Sequence, residues 1–594
     1  MSLTVIGISI HSHESACCLL HDGVLLSAAQ EERFTRKKSG GGIPGHAFKW
    51  CLQHAGLSIC DIDVLAYYED PAMKRGQQQY SASGGNSKGA PDGQTNRLEG
   101  EIRKLLGYTG PIEVYGYPLS QAASAFYYSG FDEAAIMTHE GVGEWGTATY
   151  SYGRNLGIQV KEKIRFPHSI GLMYSTVAAY LGYQAIGQEN LLMDVAPYGK
   201  PKYVEELRRL VKRTGGDRYE AEQKYFYFTQ GQTMFSEELI QLFGRKEGGH
   251  PATEVTPFHL DMANSLQVVL EEMLLENVSY LHNIAPSRNL CLAGSLALNA
   301  AANRRLIQDG PFECVFIPPS TDNSGAALGA AALAYVRRAG TAIAPLENAS
   351  LGPEYPDMEI CRMLEAASLV YEDFRNNREQ LLHTTARLLE SDKIVGWFQG
   401  RMEFGSMALG NRSILADPRK PHVRERIIRD VKKSEFPFPS TISILEDKTG
   451  GYVDSARPSP FMLLTANVTS DMILPGVSHL DRSARVQTVC EAANPLFAGL
   501  IREFERRTSC PLLLNTSFNR EGEPFVESPV DALCCFISTD MDALVIGSFI
   551  VHREKNQLDF MRNVLLDLEV PAKDSQPIGT RLFDKGESIY ARIC

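Results

Sequence analysis

Hydrophobic and polar positions alternate in blocks along the first thirty residues. Leu3 to Ile10 is a short β-branched run, His11-Ser12-His13-Glu14-Ser15 is polar, and Ala16 to Leu20 is apolar again. His21-Asp22-Gly23-Val24 reads as a tight turn into a third apolar run, Leu25 to Ala29. Strand, loop, strand, hairpin, strand is the economical reading of runs this short bounded by turn residues. The loop after the first strand then projects polar side chains into a cleft, and Gly7 permits close approach of a ligand or of other backbone.

Residues 77–100 (QQQYSASGGNSKGAPDGQTNRLEG) are rich in Gly, Ser, Asn and Gln and have little to bury, so a mobile surface loop or lid is expected there. Asn289 to Val336 repeats one pattern twice: a strand, a Gly/Ser turn, and a helix that starts at the turn. Small residues at a helix N-terminus leave N–H groups open to phosphate, and they also suit tight packing against a sheet. Residues 339–357 carry prolines and glycines without hydrophobic periodicity and mark the domain boundary, giving expected domains at 1–345 and 355–594. Beyond it, 360–369 and 377–389 read as helices and 393–398 as a strand, so both domains belong to the α/β class.

Composition narrows this picture. A chain of 594 residues exceeds one core, and 44% hydrophobic with 22% charged residues is ordinary for folded protein. A net charge of -12 disfavours nucleic acid as a partner. No apolar run reaches the roughly 18 residues that cross a bilayer, and the start lacks a charged n-region, so a cytoplasmic protein without a membrane partner is expected. Twelve cysteines, with adjacent pairs at Cys17-Cys18 and Cys534-Cys535 but no C-x-x-C, read as reduced buried thiols.

EERFTRKK (Glu31 to Lys38), AASAFYYSG (Ala122 to Gly130), EGVGE (Glu140 to Glu144), APYGKP (Ala196 to Pro201) and NTSFNREGEPFVESP (Asn515 to Pro529) occur in that order. Together they resemble the O-carbamoyltransferases that decorate nodulation factors, cephems and aminoglycosides. The resemblance implies an N-terminal, duplicated actin-like ATPase domain that transfers the carbamoyl group. It implies a C-terminal YrdC-like α/β domain that joins carbamoyl phosphate to ATP as carbamoyl adenylate. ATP, an iron-containing transfer site and a small-molecule hydroxyl acceptor are implied as well, with a second copy of the chain or a biosynthetic protein as further candidate partners.

By the same resemblance His13 stands where the family places a general base, a role suited to a neutral imidazole. The family's metal-binding aspartate appears as Glu140, in His139-Glu140-Gly141, and Asp322 is retained. The H-H-x-x-H segment before A-A-S-A is here Tyr117-Pro118-Leu119-Ser120-Gln121, so the two imidazoles one helical turn apart are missing. Glu140, Asp322 and His139 remain as metal candidates, and without the helical pair they do not make a tight iron site. His13 and Glu140 are the candidate catalytic residues.

Glu144, Ser295, Asn299, Asp322 and Ser324 in the first domain match nucleotide-facing positions of the family, as do Arg401, Lys432, Thr465, Arg485, Asn515, Ser517 and Asn519 in the second. Against them, Leu191 stands where a lysine is expected and Asp194 where a glycine is, both unfavourable to an anionic nucleotide. Gly400 to Ser413 fits G-R-x-E-x-G-P-R-A-L-G-x-R-S except at Ser406-Met407, and Ser434 and Phe438 replace two more arginines. Guanidinium groups bind phosphate bidentately, which these residues do not. Three readings stay open: an ATP-dependent carbamoyltransferase working without iron, an enzyme repurposed for another donor or reaction, and a non-catalytic binding protein.

Overall fold

The computed structural model describes residues 2–10, 14–38, 40–82, 94–183, 190–214, 218–227, 234–244, 255–433, 441–455, 457–477, 479, 481–558 and 561. Two compact units emerge: Met1–Ala28 with Gly41–Leu346, and Ala29–Gly40 with Glu347–Cys594. The strand, hairpin and strand read from the first thirty residues are present as β1 (Thr4–Ser9), β2 (Ala16–His21) and β3 (Val24–Gln30).

In the first unit they join β4 (Val64–Tyr67) and β5 (Ile112–Val114) in the order β3-β2-β1-β4-β5. β1 runs antiparallel to β2 and parallel to β4, and β4 is parallel to β5. The same topology then recurs. β6 (Glu133–His139), β7 (Gly146–Arg154) and β8 (Gly157–Arg165) make an antiparallel meander. After a small hairpin, β9 (Val211–Thr214) and β10 (Arg218–Ala221), β11 (Asn289–Ala293) and β12 (Cys314–Phe316) complete the order β12-β11-β6-β7-β8. β11 is parallel to both β6 and β12. The unit is thus a duplicated α/β fold of the actin-like kind.

Each fifth strand leads into a helix, Tyr117–Phe126 in one half and Asn323–Ala339 in the other, and these two helices pack together. Small residues make that possible: at Gly329 a Cβ would overlap the Ser120 carbonyl oxygen. At Gly7 a Cβ would lie 2.2 Å from the Ala327 carbonyl oxygen, so what approaches this glycine is the backbone of the helix rather than a ligand. The helix N-termini therefore converge from both halves of the duplication.

Residues 77–82 and 94–100, read from composition as loop, belong to the helices Pro71–Ala82 and Gln94–Leu106, while 83–93 lie outside the described residues. Polar composition misled here because Gln, Lys, Arg and Glu are good helix formers. Leu98 and Ile102 supply a buried edge four residues apart.

The second unit holds one mixed sheet. Its strands are β13 (Tyr371–Asp373), β14 (Val395–Phe398), β15 (Arg412–Ala416), β16 (Thr441–Leu445), β17 (Leu464–Asn467), β18 (Ser483–Val489), β19 (Leu512–Ser517), β20 (Ala543–Ile546) and β21 (Phe549–His552). Their order is β13-β21-β20-β14-β15-β19-β16-β18-β17. Trp397, Phe398, Phe497 and Phe504 lie in its core. The short helix Glu31–Thr35 belongs to this unit: Arg33 lies 4.2 Å over the Phe525 ring and donates to the Gly405 carbonyl at 3.0 Å. Arg36 donates to the Pro524 carbonyl at 2.9 Å. The EERFTRKK motif is accordingly a packing element of the second unit.

The eleven described cysteines are free thiols, seven of them buried. Among the described residues no helix is long and apolar enough to cross a membrane.

Candidate functional site

The converging helix ends and the end of β6 assemble a buried polar cluster in the first unit. Gln121 and Tyr117 are one helical turn apart and share a face. Gln121 Nε2 donates to the Tyr117 hydroxyl at 3.0 Å and to the Asp322 carbonyl oxygen at 2.8 Å. Because that amide nitrogen is a donor, the Tyr117 oxygen accepts, and its proton points away toward the Glu140 carboxyl. Burial, and then Glu140, push the Tyr117 hydroxyl far above the ordinary phenol range.

Glu140 sits just past β6. Its backbone N–H donates to the Thr147 carbonyl at 2.8 Å, and its backbone carbonyl accepts from Ser169 Oγ at 3.0 Å. Gly294 at φ +90° brings the next turn so close that a Cβ would lie 2.2 Å from the His139 carbonyl oxygen. That approach lets the Ser295 N–H reach Glu140 Oε2 at 3.4 Å. Burial lifts the Glu140 carboxyl to about 8, with Tyr117 and Ser295 pulling it back down and Asp322 adding to the rise. Glu140 Oε1, Gln121 Oε1, Ser120 Oγ and Thr321 Oγ1 are buried and have no hydrogen-bond partner among the described residues.

Asp322 caps the helix Asn323–Ala339. Its Oδ1 accepts from Ser324 N at 2.9 Å, Gly325 N at 3.4 Å, Ser320 Oγ at 2.8 Å and Ser324 Oγ at 2.5 Å. Asn299 caps Ala300–Asp309 through Ala302 N at 2.9 Å and pairs with Gln267. Side chains of the chain itself therefore occupy N–H groups that the sequence pattern left open for phosphate. Glu144 accepts from Asp70 N at 2.6 Å and Tyr117 N at 2.9 Å, and burial raises its carboxyl against those two donors. His139 stands apart from Glu140: its ring lies edge-on to Tyr150 and 3.4 Å from Asn277 Nδ2, and burial holds it neutral at about 4. His13 lies outside the described residues.

An iron ion does not fit this cluster. The Gln121 N–H groups point at the Tyr117 oxygen and the Asp322 carbonyl, Asp322 Oδ1 is engaged in a helix cap, and the His139 ring is directed at Tyr150 and Asn277, with only its Nδ1 left without a partner among the described residues. Among the described residues no group of three His, Cys, Asp or Glu side chains is arranged to hold a metal.

In the second unit Lys432 closes a π-helical turn, Ile427–Lys432. Its Nζ donates to Ser517 Oγ at 2.9 Å, to Asn519 Oδ1 at 2.6 Å and to the Ser517 carbonyl oxygen. Burial brings this amine down to about 7. Arg485 on β18 pairs across the sheet with Thr465 on β17, and its Nη1 lies 3.2 Å from the Met407 sulfur. Asn515 Nδ2 donates to Ser443 Oγ at 2.8 Å and Gln487 Oε1 at 3.2 Å. Lys432, Ser517 and Asn519 are thus brought together, and Arg485 with Thr465 forms a second group.

Arg401 belongs to neither group, since it donates to the Leu351 and Gly352 carbonyls at 2.6 and 3.2 Å. Within the Gly400 to Ser413 loop the other charged residues also serve the backbone. Glu403 Oε1 accepts from the N–H groups of Leu409, Asn411 and Arg412, and the Arg412 guanidinium donates to Gln399, Gly400 and Pro353 carbonyls. Sequence reading treated Gln121 solely as a lost ligand and missed its part in the cluster. The four-residue spacing from Tyr117 was the available signal.

Comparison with known proteins follows the same division of the chain. A carbamoyltransferase N-terminus family profile matches residues 4–332, and a carbamoyltransferase C-terminus profile matches 386–553. An uncharacterized protein of Synechocystis sp. is 36% identical over 600 residues, 92% of this chain and 96% of that protein. Nodulation protein NolNO of Sinorhizobium fredii is 32% identical, covering 91% of this chain and 79% of its own length. Nodulation protein NolO of Bradyrhizobium diazoefficiens is 32% identical over 74% of this chain and 78% of its own. Component A of (R)-2-hydroxyglutaryl-CoA dehydratase from Acidaminococcus fermentans is a distant structural likeness, with 14% identity and a TM-score of 0.31 over 57% of this chain and 100% of its own. With both halves of the family represented in order along most of its length, this chain belongs to the carbamoyltransferase family.

Proposed function

We propose that the chain transfers a carbamoyl group to a hydroxyl of a small molecule, from carbamoyl adenylate made with ATP and carbamoyl phosphate, in the cytoplasm where both are present. The observation that carries this reading is the buried carboxyl of Glu140, lifted to about 8 and left with an unpartnered oxygen. Such a group exchanges protons near neutral pH. In the proposed step the acceptor oxygen attacks the carbamoyl carbon and the bond to the adenylate oxygen breaks. AMP leaves with the electron pair, and the hydroxyl proton passes to ionised Glu140 or to His13. Glu144, Ser295, Asn299 and Ser324 support the walls of this site. Lys432, Ser517, Asn519, Asn515, Thr465 and Arg485 are the groups assigned to the donor in the second unit.

A second reading, transfer from a donor that is not a phosphate anhydride, is favoured by Met407. Its thioether rests on Arg485 at the position where the resembling enzymes carry an arginine. One assay separates the two: the protein is incubated with ATP and carbamoyl phosphate, and pyrophosphate is measured. Steady release supports adenylate formation. No release overturns it, and a small molecule trapped beside Glu140 in a soaked crystal then selects the second reading.

A further inference from the structure

We infer that the transfer site of this chain engages its ligand directly through Gln121, Tyr117 and Glu140, with no metal ion between them. The inference concerns the same site as the proposed transfer reaction and rests on that reading only for the identity of the ligand.

Three features of the cluster lead to it. First, the donors and acceptors form a directed chain. Gln121 Nε2 donates both to the Asp322 carbonyl oxygen at 2.8 Å and to the Tyr117 oxygen at 3.0 Å, which turns the phenol proton toward Glu140. A divalent cation at this place would face the Gln121 N–H and Tyr117 O–H hydrogens, and the Glu140 and Gln121 oxygens alone fall short of the three or more ligands it requires. Second, the other candidate ligands are directed elsewhere: Asp322 Oδ1 accepts from Ser320, Ser324 and Gly325 in its helix cap, and the His139 ring packs on Tyr150 with Nε2 at Asn277, leaving Nδ1 as its one nitrogen without a partner among the described residues.

Third, the cluster is unfinished. Gln121 Oε1 and Glu140 Oε1 are buried, their side chains are held in place by other bonds, and neither oxygen has a partner among the described residues. Gln121 Oε1 is a buried acceptor without a donor and Glu140 Oε1 a buried carboxyl oxygen without a partner, so their natural complement is a ligand that brings an N–H to the first and a polar group to the second. The chemical class is a neutral group with an N–H beside an oxygen, such as a carbamoyl or carboxamide. Substitution of Tyr and Gln for two imidazoles has in this account replaced coordination by hydrogen bonding at one helical spacing.

Metal content of the full chain decides the matter independently of activity. The protein is equilibrated anaerobically with Fe(II), and separately with Zn(II), desalted and analysed by mass spectrometry. Wild type is expected to retain below about 0.1 equivalent of either metal. The variant Y117H/Q121H/E140D, checked for folding by circular dichroism, is expected to retain about one equivalent and to melt higher with metal than without. Retention of about one equivalent by wild type, lost in E140Q, overturns the inference. A folded triple variant that takes up no metal overturns the assignment of this place to the former ligand set. If the triple variant does not fold, the wild-type measurement still decides.

Should the chain also show transfer activity, Q121L and Y117F are expected to lower it by about 10-fold each, and chelator dialysis to leave it unchanged. Loss of activity on chelation, restored by Fe(II), overturns the inference while leaving carbamoyl transfer standing. Absence of pyrophosphate release alone overturns the adenylate reading and leaves the metal-free site standing.

Discussion

Glu140 in the first unit and Lys432 in the second are both buried ionisable side chains, 8% and 5% exposed, and both are displaced toward neutrality by burial. Their surroundings differ. Lys432 spends its donors on Ser517 Oγ, Asn519 Oδ1 and the Ser517 carbonyl oxygen, bracing the end of β19 against the loop that follows. Glu140 keeps one oxygen without a donor, next to a hydroxyl whose direction Gln121 fixes. Burial alone therefore does not mark a group that exchanges a proton with its ligand. An unfilled hydrogen bond beside a rigidly oriented one does, because only there does a ligand gain what the protein lacks.

The largest test of that contrast is the Glu140→Gln substitution. If the carboxyl takes the acceptor proton, transfer falls by about 10²–10⁴-fold, in the range of a lost general base, while the fold is kept. Lys432→Met, altering the closed cluster, should leave a first-unit step assayed with preformed donor within about 3-fold of wild type. Equal losses in both variants would break the comparison.

Stability against pH sharpens it from another side. The carboxyl of Glu140 is raised from 4.5 to about 8, so between these values the folded chain holds a proton that the unfolded chain has released. Its contribution is full below pH 4.5 and is lost as pH climbs through about 8. Lys432 is lowered from 10.5 to about 7, so its contribution is present above 10.5 and is lost as pH falls toward 7. The first unit should loosen with alkali and the second should firm. Urea melts of Glu140→Gln should show little change at about pH 5 and a gain on the order of a few kcal/mol at about pH 9. A gain of the same size at both values would mean that Glu140 does not titrate in this range.

A smaller effect is expected on the stability of Lys432→Met. At about pH 9 the amine is neutral and its removal strands buried acceptors, costing about 1–3 kcal/mol. The deficit should shrink as pH falls to about 6, because the wild-type chain then carries a buried charge that methionine lacks.

Much of the fold was legible in the sequence, and the reasons are local. The runs at 3–10, 16–20 and 25–29 are strands because their lengths and turn residues admit little else, and the paired strand-turn-helix pattern of 289–336 fell on β11, β12 and their helices. The helices through 77–82 and 94–100 were not legible, since polar composition describes both an exposed helix and a loop. In the site, spacing revealed that Tyr117 and Gln121 stand where a chelating pair is expected. What they do instead depends on Asp322, some two hundred residues away, whose backbone carbonyl orients the Gln121 amide. Retained motif residues were also ambiguous: Arg401, Glu403 and Arg412 look like ligand-binding charges in sequence and hold their own loop in space.

Asp322 itself provides the smallest predicted effect and the sharpest control. As a helix cap it needs an oxygen acceptor and no charge, for its Oδ1 takes N–H and O–H donors from Ser320, Ser324 and Gly325. Asparagine presents the same oxygen, so Asp322→Asn should change stability by less than about 0.5 kcal/mol, whereas Asp322→Ala should cost about 1 kcal/mol. Were Asp322 a metal ligand or an anion partner of the transfer site, the neutral isostere would remove its function and spare the fold. Transfer by Asp322→Asn within about 3-fold of wild type assigns the residue to the cap, and a loss comparable to that of Glu140→Gln returns it to the chemistry.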